Sequence, residues 1–361
     1  MKTALICMLQ LHKNSGSART AFENIRYFKS RGFQVHVVAM TMDKELLEAE
    51  GAITHKTFPW IKGTGFTRRR WYNWQVKMLR KKINPTVTVG HGDIQEQDVL
   101  TLHNSVFLAS ELIHGKTLDH KHEMYLTHGP LLKNHLFKKM IANSLLMKND
   151  TIQRFNVSPE KIHVVYPALD THTFYPVPPS EKIKLRHRFG FSDKLVVALV
   201  TSGNFKKRGL DLFIEAIKLL PQDLKDKIDV RVVGKDERGQ YKNSFLTFDP
   251  ALDDIQNYYR AIDIFILPAR IEEFGRVVLE AMGCGTPVIT TDKVGAGELL
   301  EGESRAFVVA SHQIQPLTAA LQTLIESADL REKVGQLNAQ LALKEAEDKL
   351  YAKFDRVFLD I

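Results

Sequence analysis

Two glutamates, Glu272 and Glu280, stand eight positions apart in the string EEFGRVVLEAMGCGTPVI. An apolar run, Ile264–Leu267, precedes them, and a second, in TPVITT, follows. Between two buried strands this reads as a polar loop and a short helix, opened by Gly275 and closed by Gly283 and Gly285. A glycine there lets the backbone approach a ligand closely. The helix start offers outward amides and the positive end of a dipole, which suit a diphosphate. Carboxylates beside an anion site repel the anion unless they serve another group. Accepting hydrogen bonds from sugar hydroxyls is the role that fits.

Three further strings carry groups of the same chemistry. In TSGNFKKRGLDLFIEAI the cations Lys206, Lys207 and Arg208 precede Gly209, after an apolar strand and before a helix. Their charges suit a diphosphate and would stabilise the negative charge that grows on it as a glycosidic bond breaks. In NSGSARTAFENIRYF, Gly16 follows the apolar strand TALICML and could offer an amide to phosphate, with Arg19 nearby; a plain strand-to-helix turn would look the same. In DVLTLHNSVF, His103 ends an apolar strand, with Asn104 beside it; His128, in YLTHGP, is a weaker candidate. A histidine at a strand end is either a substrate contact or structural. No Asp-x-Asp occurs, so cations and a helix start are expected to neutralise the anion without a metal. Cys7 and Cys284 lie in apolar contexts, which suggests neither a disulfide nor a zinc site and fits a reducing cytoplasm.

The elements that must position these groups alternate between strand and helix. TALICML, a helix over Ser17–Ser30, FQVHVVAM, Thr86–Val89 and Val99–Leu102 form one series. Four prolines between Pro167 and Pro179 interrupt it. The pattern restarts with KLVVALVTS, a helix from Gly209 to Leu220, IDVRVVG, DIFILPA and TPVITT, and ends in a helical tail from Ile314. Length and pattern predict an α/β protein of two doubly wound, Rossmann-like domains facing across a cleft. Their expected spans are 1–170 for acceptor binding and 171–340 for donor binding, with a final helix over 341–361. Ligands of such sheets bind at the carboxyl edges of the strands.

The Glu272–Glu280 string resembles the signature of the retaining GT-B glycosyltransferases of family four, which include bacterial lipopolysaccharide-core and phosphatidylinositol-linked sugar transferases. The resemblance covers nearly the whole chain and is strongest from about Val164 to Leu300. It implies that Glu280 holds the donor ribose and that Glu272 contacts the transferred sugar. The amides of Phe274, Gly275 and Arg276 would then contact sugar or phosphate. The family usually has Lys-Gly preceded by an arginine; here the order is Lys207-Arg208-Gly209, which leaves the two roles undivided. Gly16 fills the second position of the family's glycine pair and Ser15 replaces the first. In some relatives a histidine near His103 contacts donor sugar or acceptor, and the final helix crosses back onto the first domain. The implied reaction moves a hexose from a nucleotide diphosphate-sugar, UDP-hexose favoured, to a saccharide or glycolipid such as a lipopolysaccharide core. The nucleotide-sugar is a substrate, and no cofactor is expected.

Gly51 to Gly92 holds nine lysines and arginines and no acid, in a chain whose net charge is +8. The basicity is therefore one patch. Around Arg68, Arg69 and Arg70 it interleaves Trp60, Trp71 and Trp74, all the tryptophans of the chain. Such a segment suits an anionic membrane surface or a phosphorylated glycolipid. It also suits a helix with its aromatics packed inward, and, less well beside sugar-transfer motifs, single-stranded nucleic acid. The expected location is cytoplasmic, peripheral at the inner face of the cytoplasmic membrane. A nicotinamide-dependent dehydrogenase would need Gly-x-Gly-x-x-Gly after the first strand, which reads Asn14-Ser15-Gly16-Ser17 instead. A membrane-surface or anionic-polymer-binding protein with weak catalysis would keep the fold without needing the glutamate pair.

Overall fold

The computed structural model describes residues 2–12, 16–58, 65–201, 203–241, 243–359 and 361; Asn14, Ser15, Trp60 and Lys62 lie outside them. The chain divides into two compact units, residues 1–166 with 351–361, and Pro167–Leu350.

The first unit contains β1 (Thr3–Cys7), β2 (Gln10–Leu11), β3 (Gln34–Ala39), β4 (Thr41–Met42), β5 (Ile53–Lys56), β6 (Val87–Gly90), β7 (Val99–Thr101), β8 (Lys139–Ala142) and β9 (Ile162–Val164). Seven of these form one parallel sheet in the order β5-β3-β1-β6-β7-β8-β9. Ala4, Leu5, Ile6 and Cys7 are fully buried, as expected of a central parallel strand covered on both faces. The helix Gly16–Ser30 buries Ala18, Ala21, Phe22, Ile25 and Phe28 along one stripe. Residues Tyr351–Ile361 belong to this unit. Tyr27 packs edge-on against Phe354, and its hydroxyl donates to Asp355 at 2.9 Å.

The second unit contains β10 (Leu195–Val200), β11 (Ile228–Val233), β12 (Leu246–Asp249), β13 (Ile264–Leu267), β14 (Val288–Thr291) and β15 (Val308–Val309), parallel in the order β12-β11-β10-β13-β14-β15. Phe205, Leu210, Phe213, Ile264, Ile266 and Leu321 fill one face of this sheet. Each sheet therefore has Rossmann-like order, reversing between β1 and β6 in the first and between β10 and β13 in the second. The helix Pro179–Arg188 begins at the last of the four clustered prolines, because a first-turn residue needs no amide donor. The tail forms the helices Ile314–Glu326, Ala328–Ala342 and Glu347–Phe358. Among the described residues, no helix is long and apolar enough to cross a membrane.

Candidate active site

In the second unit the loops after β10 and β13 carry the basic string and Glu272, so the order reversal of the sheet brings them together. Gly209, with φ +73°, makes this possible. A Cβ there would lie 2.0 Å from the Pro268 carbonyl oxygen, so no other residue fits. Arg270 ties the loops further. Its amide donates to the Lys207 carbonyl at 2.9 Å and its Nη1 to the Lys206 carbonyl at 2.7 Å. Its guanidinium also holds Asp211 in a two-pronged pair, both bonds 2.7 Å. Glu272 is anchored through its backbone: its amide donates to Lys293 at 2.9 Å, and its carbonyl accepts from Gly295 at 3.0 Å.

The acids and bases then meet. Lys207 Nζ lies 2.9 Å from Glu273 Oε2, and Arg208 pairs with Glu272. The four side chains are mostly buried, Glu273 most of all at 6% exposure. Burial pushes the Arg208 guanidinium below its ordinary value, and the charge of Glu273 works against that shift. Two cations are thus held in a dry setting by two acids, which keeps the desolvated charges compensated. Lys206, by contrast, is exposed.

Gly275, at φ +92°, caps the helix Arg276–Gly283, and its carbonyl accepts from the Val278 amide at 2.9 Å; a helix start leaves its leading amides without acceptors in the helix itself. Glu280 lies inside that helix at 8% exposure, and Tyr259 donates its hydroxyl to Glu280 Oε2 at 3.4 Å. Phe274 turns a buried ring inward, and its carbonyl accepts from the Ala296 amide at 2.6 Å. Arg276 donates from Nη1 to the Ala168 carbonyl at 3.4 Å, a packing role for its side chain. Glu273, Arg270 and Tyr259 went unassigned in the sequence. Glu273 was legible as the neighbour of Glu272, whereas Arg270 and Tyr259 act through pairings across the sheet.

In the first unit Gly16 opens its helix at an exposed position, with nothing within 4 Å of where a Cβ would stand. His103 follows β7 and meets His91, which follows β6: His91 Nδ1 and His103 Nε2 are 2.8 Å apart. Burial lowers both His91 and His128 from 6.5 to about 4, and Arg69 adds its charge against protonation of His128. Asn104 is exposed.

The basic string forms the helix Gly65–Ile83, which buries Tyr72 and Val76. Its arginines part company. Arg69 turns inward, 12% exposed, onto Asp93, whose side chain is 14% exposed, whereas Arg70 is exposed and Arg68 half-buried. Trp74 is 53% exposed and stacks on Trp71 at 5.0 Å between ring centroids. Lys77 pairs with Glu96 at 2.5 Å, so the acids just after the patch offset part of its charge. A cavity of about 400 Å³ opens beside this helix, lined by Phe66, Arg70, Trp74, Lys77, Ile94 and Leu126 among others.

Two Rossmann-like units, one with cations and a capped helix start at its order reversal, define a GT-B protein. Residues 181–340 match the family model of Glycosyl transferases group 1, and residues 14–173 match that of Glycosyltransferase Family 4. Together these span most of the chain, which belongs with the GT-B glycosyltransferases. It is 26% identical over 279 residues to a probable transglycosylase of Burkholderia thailandensis, covering 76% of this chain and 72% of that protein. Other curated relatives are matched over about half their length. Among solved structures, WaaG, a glycosyltransferase involved in lipopolysaccharide biosynthesis, superposes with TM-score 0.82 at 19% identity, over 98% of this chain and 99% of that one. Anabaena HepE in complex with UDP-glucose superposes with TM-score 0.75 at 20% identity, over all of both chains.

Proposed function

We propose that this protein transfers a hexose, with retained configuration, from a nucleotide diphosphate-sugar to a saccharide or glycolipid acceptor. The observation that carries the reading is the meeting of Lys207 and Arg208 with Glu272 and the Gly275-capped helix at the strand-order reversal. The incoming diphosphate takes over the cations that Glu272 and Glu273 hold. That exchange releases Glu272 to accept from hydroxyls of the sugar. Glu280, steadied by Tyr259, accepts from the ribose. As the bond to the sugar breaks, the pair of electrons leaves with the diphosphate, and Lys207, Arg208 and the helix amides stabilise the added charge. The acceptor oxygen bonds to the anomeric carbon on the face that the diphosphate leaves and gives its proton to the departing phosphate, which retains configuration. Gly16 and His103 contact the donor phosphate and a sugar respectively. No metal enters this scheme.

UDP is the favoured nucleotide, since a fold neighbour binds UDP-glucose. A lipopolysaccharide core is the favoured acceptor, with Arg68, Arg70, Trp71 and Trp74 facing an anionic membrane surface at the cytoplasmic side. A thermal-shift series with UDP-, GDP- and ADP-sugars in EDTA tests the donor. UDP-sugars should raise the melting temperature most, and absence of any shift with every nucleotide would defeat the reading.

A further inference from the structure

The cavity of about 400 Å³ beside the helix Gly65–Ile83 has no part in the reaction as described. Its described lining lies wholly within the first unit. Phe66, Arg70, Trp74, Lys77 and Arg80 recur at spacings of three and four, so one face of the helix forms a wall. Val76 and Ile94, also in the lining, are 3% and 1% exposed and share a core cluster with Leu5 and Tyr72, so the cavity reaches the hydrophobic core. Apolar walls around a gap forfeit dispersion contacts, which favours an apolar occupant.

The polar side chains of the lining are turned to the backbone. Asn73 donates to the Arg69 and Asp93 carbonyls at 2.9 and 2.8 Å and accepts from the Gln95 amide at 2.8 Å. Gln95 donates to the Thr127 carbonyl at 3.0 Å, and the Thr127 hydroxyl to the Glu123 carbonyl at 2.7 Å. A saccharide or a nucleobase needs polar groups that converge on it, whereas a hydrocarbon chain needs none. The exposed members of the lining, Arg70, Trp74, Lys77 and Glu96, mark the mouth. Lys77 shares Glu96 with Arg80, at 2.5 and 3.8 Å, and Arg80 also reaches Asp98 at 3.7 Å. Arg70 enters none of these pairs, so it leaves the mouth positive. An apolar interior behind a cationic mouth is complementary to an anionic amphiphile.

We propose that this cavity takes one acyl chain of an anionic phospholipid drawn from the bilayer, with the lipid phosphate against Arg70. The proposal deepens, and rests on, the reading of this face as the one that meets an anionic membrane. The stacked Trp71–Trp74 pair stands beside the mouth, where rings of that kind suit headgroup depth. Each methylene that leaves water for the cavity strengthens binding about fourfold, until the cavity is full.

Lysophosphatidylglycerols from octanoyl to myristoyl, each below its micelle concentration, test this on the full chain by calorimetric titration. Affinity should rise about fourfold per methylene and then level off at a fixed chain length. Absence of saturable binding, or a rise that never levels off, as simple partition gives, would overturn the proposal. Leu126→Trp narrows the cavity and should bring the plateau to shorter chains; Leu126→Ala widens it and should move the plateau to longer ones. Either shift suffices should the other variant fail to fold, and a plateau unmoved in folded protein would overturn the cavity as the site. Arg70→Ser should weaken every chain length by the same several-fold factor, more at low salt than at high; unchanged affinity would overturn the phosphate contact. Sedimentation with phosphatidylglycerol vesicles separates the two readings. Vesicle binding without monomer binding would defeat the cavity alone, and monomer binding without vesicle binding would uphold the cavity and defeat the membrane as the source of its lipid.

Discussion

Glu280 is the residue whose assignment is most exposed to a single measurement. Its carboxylate is buried, touches Tyr259 and is read as the ribose acceptor. Glu280→Ala should therefore raise donor KM about 10- to 100-fold, the cost of one or two hydrogen bonds to a charged group. Unchanged donor KM in steady-state assays would dismiss the ribose contact. The buried histidines give a second residue-scale outcome. His91 and His128 stand at about 4 when folded against an ordinary 6.5. Between those values the unfolded chain binds the proton and the folded one does not, so stability rises with pH across that window. Each contributes roughly 3 kcal/mol above pH 6.5 that is lost as pH falls through 4. Urea midpoints at pH 4.5 and 7 should differ less in His128→Gln than in the native chain. An undiminished difference would show that His128 is not among the groups responsible.

At the scale of elements, the proposed donor site is a product of two loops and the glycine that lets them touch. Gly209→Ala brings a methyl group against the Pro268 carbonyl in a left-handed backbone, and should cost at least about 2 kcal/mol. A lowered melting temperature together with loss of donor-induced stabilisation is the expected calorimetric result; native values for both would show that the loops can part freely. The loops themselves were legible. Glu272, Lys207 and Arg208 stand out in the sequence itself, because a polar string between a buried strand and a helix is a local pattern. Glu273 as the partner of Lys207, and Arg270 as the tie between the loops, were not. Their roles arise from pairing across residues 64 to 66 positions apart, which no local periodicity encodes.

For the molecule as a whole, the basic patch is the feature with a consequence beyond the reaction. With Arg69 committed to Asp93, the membrane contact proposed for this face would rest on Arg68, Arg70 and the two stacked tryptophans. Sedimentation with anionic vesicles should weaken several-fold in Arg70→Ser/Trp74→Ser, and more at low than at high salt, because exposed charges are screened. Binding unchanged by the double substitution would take this face out of the membrane reading.

Sequence alone determined the class of this protein. Two runs of alternating strand and helix separated by prolines imply two doubly wound sheets, since parallel strands need helical crossovers. The spacing of Glu272, Gly275 and Glu280 likewise needs only one loop and one helix to act. Tertiary structure decided which charges face each other. It sent Arg69 inward and left Arg70 outside, although the two are adjacent on one helix, and it joined His91 to His103 across neighbouring strands. Burial and pairing of charge depend on what arrives from distant parts of the chain, and those partners are chosen by the order of the strands.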